Sequence, residues 1–217
     1  MQQKGDVSGV FMAILIKNAQ IYAENGIPTY QGFCIDGGRI RAMTNNEAEI
    51  DAFLREHDNK VNIIEGRNKL ILPGLINTHT HSPMTLLRNI GSDLPLQQWL
   101  FNEIIPRERK LTSRSVYYGS LLGQLEMIRS GTVAFADMYE PFEAIAQAVL
   151  ESGLKAVLSV PVLHNRWENG ARITENTFAE AERLIKKWKG AGDGRIDVIC
   201  EIHSVYLYDE GDKKRKI

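Results

Sequence analysis

The chain has 217 residues, of which 43% are hydrophobic and 24% charged, a composition that suits a globular protein of one or two domains with a sizeable core. A net charge of −1 offers no basic footprint for nucleic acid, and no apolar run nears the ~20 residues of a membrane span. The polar start through Gly9 lacks a secretory leader, and Cys34 and Cys200 are far apart in sequence, so a cytoplasmic protein with free thiols is expected.

The first seventy residues read as β-rich. Short strands are predicted in "FMAILIKNAQIY" and "GFCIDGGRIRAM", with Asp36-Gly37-Gly38 as a turn. A short amphipathic helix follows over 46–57, then strands at 61–65 and 69–75. Beyond Gly74 the pattern changes. Helix is predicted over 95–107 and again over 112–130. In the second, Thr112 is the candidate cap, and Tyr118, Leu121, Leu122, Leu125 and Ile128 form one apolar face. Strand 132–138, helix 141–153, strand 155–163, helix 174–190 capped by Thr174, and strand 195–204 complete the order. Apolar strands alternating with helices imply a parallel sheet covered on both faces. Four such strands are visible, whereas a closed (β/α) barrel needs eight and roughly 250 residues.

The chemistry concentrates in "LPGLINTHTHSP". His79 and His81 stand two apart where an apolar strand runs out, and alternate residues of a strand face one side. Imidazole nitrogens suit zinc and related divalent ions, and βα folds place their sites at the C-terminal ends of strands. Elsewhere, Asp137 reads as structural, His57 has no assigned role, and His164 follows the third strand with its role open.

"KLILPGLINTHTH" resembles the first-strand signature of the amidohydrolase superfamily. The stretches "HTHSPMTLLRNIGSDLPLQQWLFNEIIPRERKLT" and "MIRSGTVAFADMY" are similar to its branch of methylthioadenosine/S-adenosylhomocysteine deaminases and chlorotriazine-type hydrolases. The resemblance covers roughly residues 10–208. It implies an α/β fold: the N-terminal part of a (β/α)8 metal-dependent hydrolase barrel, about four β/α units in residues 71–217, preceded by part of a small β-sandwich in residues 1–70. It implies one divalent metal, zinc in the first place and iron as the alternative, held in part by His79 and His81. The metal acidifies a water for attack on a ring carbon bearing an amino group. Glu108 in "PRER", Arg172 in a Gly-rich loop, "NGARIT", and His203 in "EIHSVYL" match substrate-binding positions.

Two departures shape the expectation. Relatives carry a third-strand arginine for a substrate carboxylate, and Val160-Pro161 stand at that place, with Arg166 nearby as a substitute. That favours methylthioadenosine over S-adenosylhomocysteine. The remaining metal ligands and the acid/base group of the family belong to later strands, so none of the 217 residues is assigned as catalytic and the isolated chain is expected to be inactive. A triazine-type or other cyclic C–N hydrolase and a non-catalytic remnant are the alternatives. The partner is a small-molecule substrate, with oligomerisation left open.

Overall fold

The computed structural model describes residues 13–24, 26–168 and 171–202. The chain divides into two compact units, one ending at Pro73 and the other beginning at Gly74.

In the first unit, β1 (Ile14–Ile21), β2 (Thr29–Asp36), β3 (Arg39–Thr44) and β4 (Asn62–Glu65) form a mixed sheet in the order β3-β2-β1-β4, and β5 (Leu70–Ile71) also pairs with β1. The β2–β3 connection is Gly37-Gly38, both at positive φ (55° and 72°), which matches the strand twist of a tight hairpin. Helix α1 (Glu47–Glu56) begins where the Asn46 side chain accepts the Ala48 N–H at 3.0 Å. It buries Ile50 and Phe53 with Leu15 and Cys34. The unit's described strands thus make one sheet with a helix beside it.

In the second unit, four parallel strands lie in the order β11-β8-β7-β6. They are β6 (Leu75–Thr80), β7 (Thr132–Asp137), β8 (Lys155–Pro161) and β11 (Ile196–Glu201). Between β6 and β7 come a 3₁₀ turn (Ser82–Leu87), α2 (Leu96–Gln98), a π-helical turn (Trp99–Ile104), α3 (Ile105–Glu108) and α4 (Ser113–Arg129). Helix α5 (Phe142–Ser152) joins β7 to β8. The hairpin of β9 (Leu163–Glu168) and β10 (Ala171–Asn176), helix α6 (Phe178–Trp188) and the short α7 (Ala191–Gly194) join β8 to β11. Phe135, Ala156, Leu158, Val160, Ile196 and Val198 on the strands pack with Ile145, Val149, Leu184 and Trp188 on the helices. Leu75, Ile76, Val133 and Ile199 of the same sheet are exposed, however, so the sheet is not covered on both faces as the alternating pattern implied.

Four local readings are corrected. The strand expected over 69–75 is broken at Pro73-Gly74, and a separate strand, Leu75–Thr80, carries His79 and ends just before His81. The helix expected over 95–107 is a composite run with a π turn at its centre. The helix expected from Thr174 starts at Phe178, because residues 171–176 pair with β9. Thr177 is instead fastened to the end of β8, its N–H on Val162 O at 3.1 Å and its hydroxyl on Pro161 O at 2.5 Å. Finally, the apolar stripe of α4 is not its buried face: Tyr118, Leu122, Leu125 and Ile128 are exposed, whereas Val116, Gly119, Ser120, Gly123 and Gln124 are buried. Small residues win that face because the 3₁₀ turn crosses it closely. A Cβ on Gly119 would lie 2.8 Å from Pro83 O, and one on Gly123 3.1 Å from Ser82 O.

Candidate functional site

The site begins with an irregularity in β6. Its pairing with β7 slips between Asn77 and Thr80, and the Asn77 side chain accepts the His79 N–H at 3.3 Å. Such slips re-aim side chains at strand ends. Regular alternation therefore does not by itself bring the histidines together, yet their rings lie 5.1 Å apart between centroids and nearly perpendicular, at 81°. His79 is exposed and His81 half-buried. His81 Nδ1 stands 2.7 Å from Met138 O. Only an N–H can bond a carbonyl, so this contact places a proton on Nδ1 and leaves Nε2 as the nitrogen that could serve as a ligand.

Behind His81 is a buried polar group. Asp137, at the end of β7, accepts the Ser82 N–H at 3.2 and 3.3 Å and also the Ser82 hydroxyl. Ser82 Oγ in turn lies 2.8 Å from Ser120 Oγ of α4. Burial pushes the Asp137 carboxyl up to about 6, opposed by the Ser82 hydrogen bonds and the neighbouring His81.

On the other side, Glu108 closes α3. Its Oε1 accepts the Tyr139 hydroxyl at 2.7 Å, and the Tyr139 ring is 6.2 Å from that of His81. Burial and then the Glu108 carboxylate hold the Tyr139 phenol above its usual range. Of the cations beside it in sequence, Arg107 is bound to Glu103 at 2.6 Å. Glu108 is thus linked to His81 through the Tyr139 side chain rather than spent on those cations.

The other expected residues are placed less fully. Arg172 lies in β10, opposite Trp167 of β9, so its segment is a hairpin strand where a loop was expected. His164 pairs across the same hairpin with Glu175. His203 lies outside the described residues. Tyr139, Ser82 and Ser120 were not singled out from the sequence. Tyr139 stood inside the quoted motif "MIRSGTVAFADMY", but no local signal marks a tyrosine as a partner of Glu108.

The histidine pair can be tested for fit to a divalent ion. Two imidazoles sharing an ion at about 2.0–2.1 Å and a near-tetrahedral angle would hold their centroids about 5 Å apart, close to what is seen. The pair fits two positions of such a site. Among the described residues no group of three His, Cys, Asp or Glu side chains could hold an ion. No helix among them is long and apolar enough to cross a membrane.

A parallel β/α sheet with a His-x-His pair at the C-terminal end of its edge strand is the class of arrangement that the second unit defines. Residues 70–211 match the model of the amidohydrolase family, and the chain belongs to that family. It is 42% identical over 205 residues to a 5-methylthioadenosine/S-adenosylhomocysteine deaminase of Acetivibrio thermocellus, covering 92% of this chain and 44% of the relative. It is 41% identical over 193 residues to a 5′-deoxyadenosine deaminase of Methanocaldococcus jannaschii, covering 89% and 42%. The crystal structure of an adenosine deaminase from Xanthomonas campestris with bound zinc shares the fold, with a TM-score of 0.74 at 23% identity over 94% of this chain and 45% of that one. The chain therefore spans less than half the length of the relatives it matches.

Proposed function

We propose that the chain is the part of an aminohydrolase that carries the metal-binding histidine pair, and that the enzyme removes the amino group of a purine nucleoside. 5′-Methylthioadenosine is the preferred substrate, ahead of S-adenosylhomocysteine. The observation that carries this reading is the convergence of His79, His81 and, through Tyr139, Glu108 at one corner of the sheet. When bound, a divalent ion, zinc before iron, supplies Lewis acidity and brings the pKa of a water toward about 7. His79 and His81 would hold it, with the Nδ1–H of His81 kept on Met138 so that Nε2 faces the ion.

Glu108 would read the ribose. Its Oε1 is engaged by Tyr139, so Oε2 is the oxygen left to accept from a sugar hydroxyl. Arg172 and His203 would complete the substrate contacts. The preference for methylthioadenosine rests on Val160, a buried apolar residue, and Pro161, neither of which can meet a carboxylate. The division into a β-sandwich part (1–70) and a barrel part (71–217), and a cytoplasmic setting for the free Cys34 and Cys200, belong to the same reading.

The 217 residues alone are proposed to be inactive. A catalytic zinc uses three protein ligands, and a missing acid/base group typically costs ~10²–10⁴ in rate. The test has two arms. The purified chain with zinc should release no ammonia from 5′-methylthioadenosine. A chimera in which residues 13–202 replace the matching stretch of the Acetivibrio relative should release it, and should stop doing so on His81→Ala. Turnover by the isolated chain sinks the claim of inactivity. A folded, zinc-loaded chimera that ignores nucleosides, or prefers an aminotriazine, sinks the nucleoside reading.

A further inference from the structure

Three buried polar side chains sit behind the histidine pair: Ser82 and Asp137, each 3% exposed, and Ser120, fully buried. Burying polar groups costs stability unless they are bonded, and burying a carboxylate costs more. The 3₁₀ turn does not need them for attachment, since Pro83 and Leu87 already bury apolar surface there. What they do is specific in position. Asp137 takes both the N–H and the hydroxyl of Ser82, the residue immediately after His81. Ser120 binds the same hydroxyl from α4 at 2.8 Å. Met138, the residue immediately after Asp137, accepts His81 Nδ1–H. Consecutive residues of one strand end thus fix the imidazole of His81 and the backbone that carries it.

We infer that Asp137, acting through Ser82, is a positioning residue for His81: it sets the direction of Nε2 and so the affinity of the histidine pair for a divalent metal. This rests on the reading of His79 and His81 as metal ligands. Asp137→Asn keeps the shape of the side chain but presents an N–H to Ser82 Oγ, which must then donate to Ser120, and removes the anion beside the site. Ser82→Ala removes the hydroxyl from both partners and leaves the Ser82 N–H on Asp137.

The experiment titrates zinc alone into the intact 217-residue chain against a chromophoric chelator. Asp137→Asn and Ser82→Ala should each weaken zinc ten- to a hundred-fold, the usual penalty for losing a support of a metal ligand. Leu184→Ala, a core truncation at α6, controls for general destabilisation and should stay within two-fold. A folded Asp137→Asn chain that binds zinc within two-fold of the parent overturns the inference. If that variant does not fold, Ser82→Ala decides on the same criterion. If His81→Ala leaves zinc affinity unchanged, the metal-ligand reading itself falls and the inference falls with it, an outcome distinct from an effect confined to Asp137. Long-range ¹H–¹⁵N spectra of the metal-free parent need no variant: His81 protonated at Nδ1 supports the clamp, and protonation at Nε2 overturns it.

Discussion

Gly119 and Gly123 lie one turn apart on the same buried face of α4, and alanine at the two positions should have opposite effects. Alanine favours a helix interior over glycine by about 1 kcal/mol, and this gain is common to both. The surroundings differ. At Gly119 the new Cβ would stand 2.8 Å from Pro83 O and 3.0–3.1 Å from Leu86 Cγ and Cδ1. Leu86 is exposed and can swing aside. The Pro83 carbonyl is backbone within the buried turn, about half an ångström nearer than the ordinary C···O separation of about 3.3–3.6 Å. Moving that turn is overpacking, at about 1–3 kcal/mol, and it strains the 2.7 Å bond from Thr85 Oγ1 to Gly119 O. The net effect of Gly119→Ala is a loss of about 1 kcal/mol. At Gly123 the nearest atoms are Ser82 O at 3.1 Å and Thr85 Cγ2 at 3.3 Å, so a shift of a few tenths of an ångström suffices and the propensity gain survives. The two variants should differ by about 1–2 kcal/mol, or about 3–6 °C in Tm for a unit of this size. Tryptophan fluorescence during urea unfolding is the suitable assay, because Trp99, Trp167 and Trp188 all lie beyond Pro73 and report the second unit alone. Gly119→Ala equal to or more stable than Gly123→Ala would refute the close-approach account of this face.

Two further predictions concern the same unit. The proton of Asp137 is held more tightly in the folded chain, near 6 against the usual 3.8, so its stabilising contribution is complete below pH 4 and is lost as pH rises through about 6. The difference in unfolding free energy between parent and Asp137→Asn, measured without metal, should therefore change by up to about 3 kcal/mol between pH 4 and 7, and a flat difference would contradict the burial argument. Thr112→Ala removes the hydroxyl that accepts the Ser115 N–H at 3.2 Å and should cost about 1 kcal/mol in a urea titration, with Thr112→Ser close to the parent.

What the sequence reveals of this fold depends on the range of the interactions involved. Strands β7, β8 and β11 and the starts of α1 and α4 are local events, set by runs of apolar residues and by single side chains such as Thr112, and they fall where the pattern places them, whereas β6 begins only past Pro73-Gly74. The buried face of α4 is not local. Hydrophobic periodicity finds the helix, but which face is covered depends on the 3₁₀ turn, whose residues lie some 35 positions earlier. A stripe of glycine and serine admits its backbone more closely than leucine could. The β9–β10 hairpin was missed for a related reason. "TENTFAEAERLIKKWKG" has helix chemistry from its first threonine, but Thr174 opposes Asn165 across a pairing that the helix propensity of one segment does not register.

The same distinction runs through the site. His79 and His81 are legible because their spacing is a property of three adjacent residues. Their supports are not, because each arrives from far along the chain: Ser120 reaches Ser82 over 38 positions, Asp137 reaches it over 55, Met138 reaches His81 over 57, and Tyr139 reaches Glu108 over 31. A motif can say which side chains could hold a metal, whereas the affinity with which they do so is set by groups that only folding brings to them. Asp137, Met138 and Tyr139 are consecutive, so a single strand end serves both the histidines and Glu108. A displacement of β7 by a fraction of an ångström would reach the histidine pair and Glu108 together, and under the proposed function substitutions in this tripeptide should therefore couple metal affinity to substrate affinity where substitutions at His79 or Glu108 alone would not.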